Sequence, residues 1–135
     1  MSADEAKARV TPLLLLVEDE VLTREMLVEA LEEAGFSTLV AVDARAATPL
    51  FEERSGEIRG LVTDISLGHD MDGWQLARAA REVASDLPVV YISGSSGHEW
   101  AARGVPNSLM ITKPFAPAQV VVAISSLLVA SDATA

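Results

Sequence analysis

Cysteine is absent from this chain of 135 residues, which excludes disulfide cross-links and zinc sites built on thiolates. Basic residues are scarce, since ten Lys and Arg stand against twenty Asp and Glu, for a net charge of -10. This charge disfavours binding to nucleic-acid phosphates or to an anionic membrane surface. The chain also lacks an apolar signal segment at its amino end and an apolar run long enough for membrane insertion. We therefore expect a cytoplasmic protein.

Apolar residues make up 50% of the chain, enough for a substantial core, and they occur in two alternating patterns. Short continuous apolar runs predict strands buried on both faces, and the segments between them have helical spacing. This alternation predicts an α/β fold, a doubly wound (βα)5 flavodoxin-like domain whose five parallel strands take the order 2-1-3-4-5. The predicted strands span residues 13–17, 37–42, 59–63, 87–92 and 108–112.

The predicted domain covers residues 12–130, between a disordered amino-terminal tail, 1–11, and a carboxyl-terminal tail, 131–135. Its last helix is expected to end near Val129. Within the second helix, Pro49 predicts either a late start near that residue or a distorted first half, because proline removes a backbone hydrogen bond. Of the two tryptophans, Trp74 and Trp100, we expect both to be partly buried in the core.

Polar side chains stand where the predicted strands end, and they are Glu18, Asp19, Asp64, Ser93 and Lys113. In a parallel sheet these strand ends meet at one edge. Clustered carboxylates repel, and either a raised pKa or a hard cation such as Mg²⁺ relieves the repulsion. With Mg²⁺ bound, one carboxylate is free to attack a phosphoryl group. Lys113 would then neutralise the transferring oxygens, Ser93 would donate a hydrogen bond to one, and Gly94 would leave open access.

At these positions the chain resembles the receiver domain of two-component response regulators, of the single-domain, chemotaxis-regulator-like type, from about Leu13 to Val129. The motifs that carry the resemblance are Leu15-Leu16-Val17-Glu18-Asp19-Glu20, Leu61-Val62-Thr63-Asp64, Met71-Asp72-Gly73, Tyr91-Ile92-Ser93-Gly94 and Lys113-Pro114-Phe115. The resemblance implies that Asp64 is the phosphoacceptor. It also implies that Asp19, Asp64 and the backbone carbonyl of Ser66 ligate Mg²⁺, and that Glu18 acts through a metal-bound water.

Two features depart from the family pattern. The loop from Asp64 to Gly73 is one residue longer than the commonest spacing, and its centre, Gly68-His69-Asp70, replaces a proline-containing turn. The position three before the lysine, often a large aromatic that swings inward on activation, is Met110. We therefore expect phosphotransfer without the usual aromatic switch. The two histidines, His69 and His98, are expected at the surface.

The resemblance implies a stand-alone response regulator that accepts phosphate from a sensor histidine kinase or a phosphotransfer protein. It would signal by contact with a downstream protein, as a phosphorelay intermediate, sink or adaptor, and would not be a conventional enzyme. One alternative is a pseudo-receiver, an interaction module that never carries phosphate. Another is a small Mg²⁺-dependent aspartyl-phosphate phosphatase of the haloacid dehalogenase type, which the position of Asp64 on the third strand disfavours.

Four apolar residues are expected on the surface as interface positions. Leu22 and Met26 lie on the first helix away from its core-facing side and are kinase-docking positions by resemblance. Val122 and Val129 lie on the outer side of the last helix, and no charged residue occurs between Ala116 and Ala130. Two interpretations are possible for these valines. They are isolated exposed residues, or they belong to a face that binds a partner or a second copy in a homodimer.

Overall fold

The computed structural model describes residues 11–67, 71–94 and 97–134. Five parallel strands form one sheet in the order β2-β1-β3-β4-β5, which confirms the predicted fold and strand order. The strands are β1 (Leu13–Val17), β2 (Ser37–Ala41), β3 (Ile58–Asp64), β4 (Val89–Ser93) and β5 (Ser108–Thr112). Because all five run in one direction, their carboxyl ends lie at one edge of the sheet.

The connecting helices are α1 (Val21–Glu33), α2 (Ala44–Arg54), α3 (Gly73–Val83), α4 (Trp100–Arg103) and α5 (Pro117–Thr134), with a 3-10 turn at Gly97–Glu99 before α4. Helix α1 ends just before Gly35, whose φ of 101° lies in the left-handed region that favours glycine. The amide of Gly35 donates to the Glu32 carbonyl and that of Phe36 to the Leu31 carbonyl, which closes the helix end.

Helix α2 begins at Ala44, so the late start near Pro49 is wrong. The Asp43 carboxylate accepts a hydrogen bond of 2.8 Å from the Ala46 amide and caps the helix. The helix also buries Ala47 and Phe51 in the core. These contacts stabilise the early turns despite the backbone hydrogen bond that Pro49 cannot make.

Helix α5 continues to Thr134, beyond the predicted end near Val129, so residues 131–134 are helical and do not form a separate tail. Neither glycine nor proline follows Val129 to stop the helix. The Asp132 carboxylate also pairs with the Arg59 guanidinium at 2.8 Å, which ties this extension to the start of β3. The predicted amino-terminal tail, 1–11, lies outside the described residues apart from Thr11.

The core has two layers, one on each face of the sheet, because successive side chains of a strand point to opposite faces. Leu15 and Val17 of β1 pack on the layer beneath α2 and α3, and Leu14 and Leu16 pack on the layer beneath α1 and α5. Trp74 is fully buried in the first layer and not partly buried as predicted, whereas Trp100 is half-buried. No helix in the described part of the chain is both long and apolar enough to span a membrane.

Candidate functional site

Asp64 is the last residue of β3, and its side chain is held on both oxygens. One oxygen, Oδ1, accepts a hydrogen bond of 3.1 Å from the backbone amide of Ser66. The other, Oδ2, lies 2.8 Å from the Lys113 ammonium nitrogen. The residue is only 4% exposed. A buried carboxylate at a strand end is thus fixed in orientation by two donors.

Glu18 follows β1 and is fully buried. Its backbone amide donates to the Ala41 carbonyl at 3.1 Å, and its Oε2 accepts a hydrogen bond of 3.2 Å from the Glu20 amide. Burial, followed by repulsion from Asp64, raises the pKa of Glu18 to about 8. Its Oε1 atom is buried and has no hydrogen-bond partner among the described residues. A buried carboxylate oxygen without a donor is costly, so this atom fits a site that receives a cation or a proton.

Asp19 is exposed and supplies the third carboxylate. One oxygen from each of Glu18, Asp19 and Asp64 lies within 4.8 Å of the other two. Oxygen ligands from carboxylates are those that Mg²⁺ prefers, and this ion usually takes one or two of them together with waters. The donor set and the unpartnered Oε1 atom of Glu18 therefore fit a hard divalent cation.

Lys113 follows β5. Among the described residues, it is the one whose positively charged side chain pairs with the carboxylates of this cluster. Its backbone amide donates to the Ser93 carbonyl at 2.8 Å, and its peptide bond to Pro114 is cis. The ammonium nitrogen lies 3.9 Å from Glu18 Oε1, farther than from Asp64. Burial opposes the charge of Lys113, but the hydrogen bond that its ammonium donates to Asp64 raises the pKa of Lys113 above the ordinary value.

Ser93 and Gly94 lie at the end of β4, beside the lysine. Ser93 is 2% exposed, and Gly94 is exposed to solvent. Apart from its chain neighbours, a Cβ atom on Gly94 would have Cδ of Lys113 as its nearest atom, at 4.0 Å. Gly94 therefore leaves the approach to the lysine open. The structure brings all of the predicted strand-end residues to one edge of the sheet.

Met110 is half-buried in β5, where its register partner in β4 is Tyr91. Tyr91 is fully buried, and its ring packs against that of Trp74 with centroids 4.6 Å apart. The Tyr91 hydroxyl accepts a hydrogen bond of 3.0 Å from the Val105 amide. An aromatic side chain thus lies next to the methionine position, but it belongs to the neighbouring strand and is locked in the core.

Two supports of the site were not predicted from the sequence. Arg24 Nη1 donates to the carbonyl of Glu18 at 3.0 Å, which holds the acidic loop after β1. Asp72 and Gln75 form a capping box at the start of α3, and Arg103 pairs with Asp72 at 3.3 Å. The capping box was readable as an Asp followed by a Gln three positions later. No local sequence pattern predicts the partners of Arg24 and Arg103.

Gly73 packs against the backbone at the carboxyl end of β3. Its amide donates to the Ile65 carbonyl at 2.8 Å, and a Cβ atom there would lie 2.3 Å from the Asp64 carbonyl oxygen. Only glycine permits this approach. Gly68, His69 and Asp70, at the centre of the predicted longer loop, lie outside the described residues.

The predicted interface residues are all exposed, Leu22 by 71%, Met26 by 46%, Val122 by 64% and Val129 by 70%. Leu22 and Met26 share one side of α1, just after the acidic loop. Val122 and Val129 share the outer side of α5. His98 is exposed, as predicted.

A family model, the response regulator receiver domain, matches residues 14–125. The chain belongs to this family. Receiver domains are signalling modules of two-component systems and not conventional enzymes, and phosphorylation and Mg²⁺ binding are typical of them. The resemblance inferred from the motifs is therefore confirmed.

Individual relatives agree with this assignment. A response regulator receiver protein from Sinorhizobium medicae has a similar crystal structure, with a TM-score of 0.87 and 38% identity over 91% of this chain and 98% of that one. The receiver protein CpdR of Brucella abortus is 37% identical over 81 residues, which are 60% of this chain and 65% of CpdR. The sensor kinase CckA of the same organism is 31% identical over 87% of this chain but only 13% of its own length. The chain thus spans a minor part of the sensor kinase.

Proposed function

We propose that this receiver accepts a phosphoryl group on Asp64 from a sensor histidine kinase or a phosphotransfer protein, and signals by protein contact. One observation carries the proposal: Asp64 is buried at a strand end, 2.8 Å from the Lys113 ammonium and clustered with two other carboxylates. The names of the relatives, a sensor kinase and a receiver protein, support a role in two-component signalling.

The transfer step is a displacement at phosphorus. A carboxylate oxygen of Asp64 forms a bond to phosphorus, the bond from phosphorus to the donor's imidazole nitrogen breaks, and the imidazole leaves with the electron pair. Lys113 lies where its charge can neutralise the oxygens of the transferred group. Ser93, at the end of the next strand, would donate its hydroxyl to one of those oxygens, and exposed Gly94 leaves the approach open.

The metal would be held by Asp19, Asp64 and the backbone carbonyl of Ser66, with Glu18 acting through a bound water. Bound Mg²⁺ supplies positive charge that stabilises the transferring phosphoryl oxygens. The buried Glu18 Oε1 atom, unpartnered within the described part of the chain, supports this assignment. Glu18 would then shed its proton as the cation binds, because the two compete for one carboxylate.

The output would be a changed surface and not a reaction on a separate substrate, with slow hydrolysis of Asp64 phosphate as the only turnover. Leu22 and Met26 on α1 would dock the kinase or phosphotransfer protein, close to the acidic loop. Met110 occupies the switch position, so the signal would pass through the Ser93 and Lys113 contacts without an inward-swinging aromatic. The protein would act in the cytoplasm as a phosphorelay intermediate, sink or adaptor.

We further propose that the outer side of α5 pairs with a second copy of the chain. Val122 and Val129 are exposed there, and a groove between α5 and β5 is lined mostly by apolar side chains, among them Leu109 and Met110. On a molecule with a net charge of -10, a face without charges is where two copies can approach with least repulsion.

The test of phosphoryl acceptance is intact-mass measurement after incubation with Mg²⁺ and acetyl phosphate or phosphoramidate. We expect one labile phosphoryl adduct on the wild type and none on Asp64→Asn, because the amide is a poor nucleophile. The matched control is Asp86→Asn. Asp86 precedes β4 and so lies at the opposite end of the strands from Asp64, and this variant should retain the adduct. An absent wild-type adduct with both donors would sink the proposal and favour the pseudo-receiver.

A further inference from the structure

The outer edge of β2 has no neighbouring strand within the described sheet, where β2 pairs only with β1. The Ser37 amide donates to the Pro12 carbonyl at 2.8 Å, and the Ala41 carbonyl accepts from Glu18 at 3.1 Å. The backbone groups of residues 37 and 41 therefore face β1. Since alternate residues of a parallel strand face opposite sides, Thr38 and Val40 direct their backbone N–H and C=O groups outward. This edge offers hydrogen-bonding groups to an added strand.

A groove of about 370 Å³ runs between this edge and α1, lined by Arg24, Glu25, Val28, Glu29, Glu32 and Val40. Val28 and Val40 form its apolar floor, and Val40 is 36% exposed. The three glutamates follow one another at spacings of four and three residues, which places them on one side of the helix. The groove therefore has an apolar centre and an acidic wall.

Within the part that the structure describes, the groove lining has one cation, Arg24, against three glutamates, and it therefore keeps a net negative charge. Arg24 directs its Nη1 atom to the Glu18 carbonyl at 3.0 Å and not to a glutamate side chain. Glu32 accepts a hydrogen bond of 3.1 Å from the Thr38 hydroxyl, a neutral group. Glu25 and Glu29 make no ion pair with any described residue. The groove thus keeps its negative charge for a partner.

We propose that the outer edge of β2 binds an extended basic segment of a partner protein as a sixth strand. Its backbone would pair with Thr38 and Val40, and side chains on one face would enter the groove. Successive side chains on one face of a strand lie roughly 6.6 Å apart. A small aliphatic residue over the valine floor, with Lys or Arg two positions before and after it, therefore matches an apolar centre beside an acidic wall. Backbone pairing supplies affinity, and the alternating pattern supplies specificity.

A second copy of the chain is the wrong occupant for this edge, because its own β2 edge carries the same glutamates and like charges repel. This surface is also distinct from the α5 face, since β2 and β5 are the opposite edges of the sheet. The proposal does not depend on phosphorylation of Asp64, so either can fail without the other.

The test is a titration of the ¹⁵N-labelled full chain, followed by amide NMR, with an end-capped peptide of Thr-Lys-Thr-Val-Thr-Lys-Thr. We expect saturable shifts concentrated at residues 38–42 and on the groove side of α1, and weaker binding as NaCl is raised. The same peptide N-methylated at every amide from its second to its sixth residue keeps its charge but cannot pair as a strand along either edge. It should bind at least about tenfold more weakly.

Charge-reversal variants separate the groove from general acidity. Glu25→Lys with Glu29→Lys should weaken binding of the parent peptide at least about tenfold, since two favourable pairings become repulsive. The matched control is Glu33→Lys, on the same helix but outside the groove, which should leave the affinity within about twofold. The proposal would be overturned if the N-methylated peptide bound as tightly as the parent peptide. It would also be overturned if Glu33→Lys weakened binding as much as the double variant, or if no saturable shift occurred at residues 38–42.

Two further outcomes identify another occupant and also overturn the proposal. Shifts at residues 38–42 that depend on protein concentration without peptide would identify a second copy. The double variant Lys7→Glu with Arg9→Glu can also be compared with the wild type without peptide. A difference in shift at the same amides would show that the chain's own amino-terminal residues occupy the edge.

Discussion

At the level of single residues, Glu18 shows how one position links burial, charge and metal binding. Its side chain is fully buried with one oxygen unpartnered within the described residues, and its pKa is raised to about 8. Asp64 is also buried, but each of its two carboxylate oxygens accepts a hydrogen bond. Two carboxylates a few ångströms apart thus suit different roles in the proposed reaction: Asp64 would attack the phosphoryl group, and Glu18 would exchange a proton for a cation.

The raised pKa of Glu18 predicts a dependence of stability on pH. Between the ordinary value of 4.5 and about 8, the folded chain holds a proton that the unfolded chain has lost. The free energy of unfolding should therefore fall as the pH rises across that window, by on the order of a few kcal/mol at most.

Urea denaturation in EDTA at pH 5, 6, 7 and 8 measures this change, with Glu18→Gln as the comparison. The amide cannot titrate, so the variant should lose most of the slope, and general charge repulsion should account for what is left. If both proteins showed the same slope, the burial of an ionisable Glu18 would not be its source. Mg²⁺ should reduce the slope in the wild type alone.

At the level of elements, the start of α3 is fitted to the end of β3 by a close backbone contact. Gly73 lies against the Asp64 carbonyl, and the Asp72–Gln75 capping box fixes where the helix begins. Arg103 of α4 pairs with Asp72 and lies over the Trp74 ring at 5.8 Å. The segment between β3 and α3, which follows Asp64, is thereby connected to the helix that follows β4.

Substitution of Gly73 by alanine should disturb this contact. The new Cβ atom would lie 2.3 Å from the Asp64 carbonyl oxygen, so the backbone must move. We expect a loss of roughly 1–3 kcal/mol in the free energy of unfolding, together with slower phosphorylation of Asp64.

The matched control is Gly56→Ala, because a Cβ atom there meets nothing within 4 Å. This variant should keep the stability within about 0.5 kcal/mol and the wild-type phosphorylation rate. Urea denaturation and the rate of adduct formation measure both effects. A Gly73→Ala protein as stable and as reactive as the control would contradict the close approach.

At the level of the whole molecule, charge is distributed unevenly around the sheet. Helix α1, beside the β2 edge, carries four glutamates, whereas Asp132 is the only acid or base of α5. One edge is therefore suited to basic partners and the other to apolar ones, with the Asp64 cluster at the carboxyl ends of the strands between them.

Self-association through α5 follows from this distribution. We expect sedimentation velocity to show a dimer that dissociates on dilution, and Val122→Glu with Val129→Glu to give a monomer, since two acids would then face two acids. Val83→Glu, at a valine of α3 that is 60% exposed, serves as the control and should dimerise like the wild type. An equal mass for all three proteins would exclude this interface.

The strand order 2-1-3-4-5 was expected because it is common in doubly wound sheets. The sequence by itself determined the five strands and the identity of the strand-end residues. These follow from local patterns: an apolar run such as Leu13–Val17, the helix stop at Gly35, and motifs such as Lys113-Pro114-Phe115. Secondary structure and motif order depend mainly on neighbours along the chain, so they are readable without coordinates.

Only the tertiary structure decided how the site is held and charged. The complete burial of Glu18, its pairing distances, and the contacts of Arg24 and Arg103 depend on residues that are distant in sequence. The same holds for Trp74, whose burial requires Tyr91 of the next strand, and for α5, whose extension includes a pairing of Asp132 with Arg59. Burial and electrostatic energy are set by everything that surrounds a group in space, which no local pattern records.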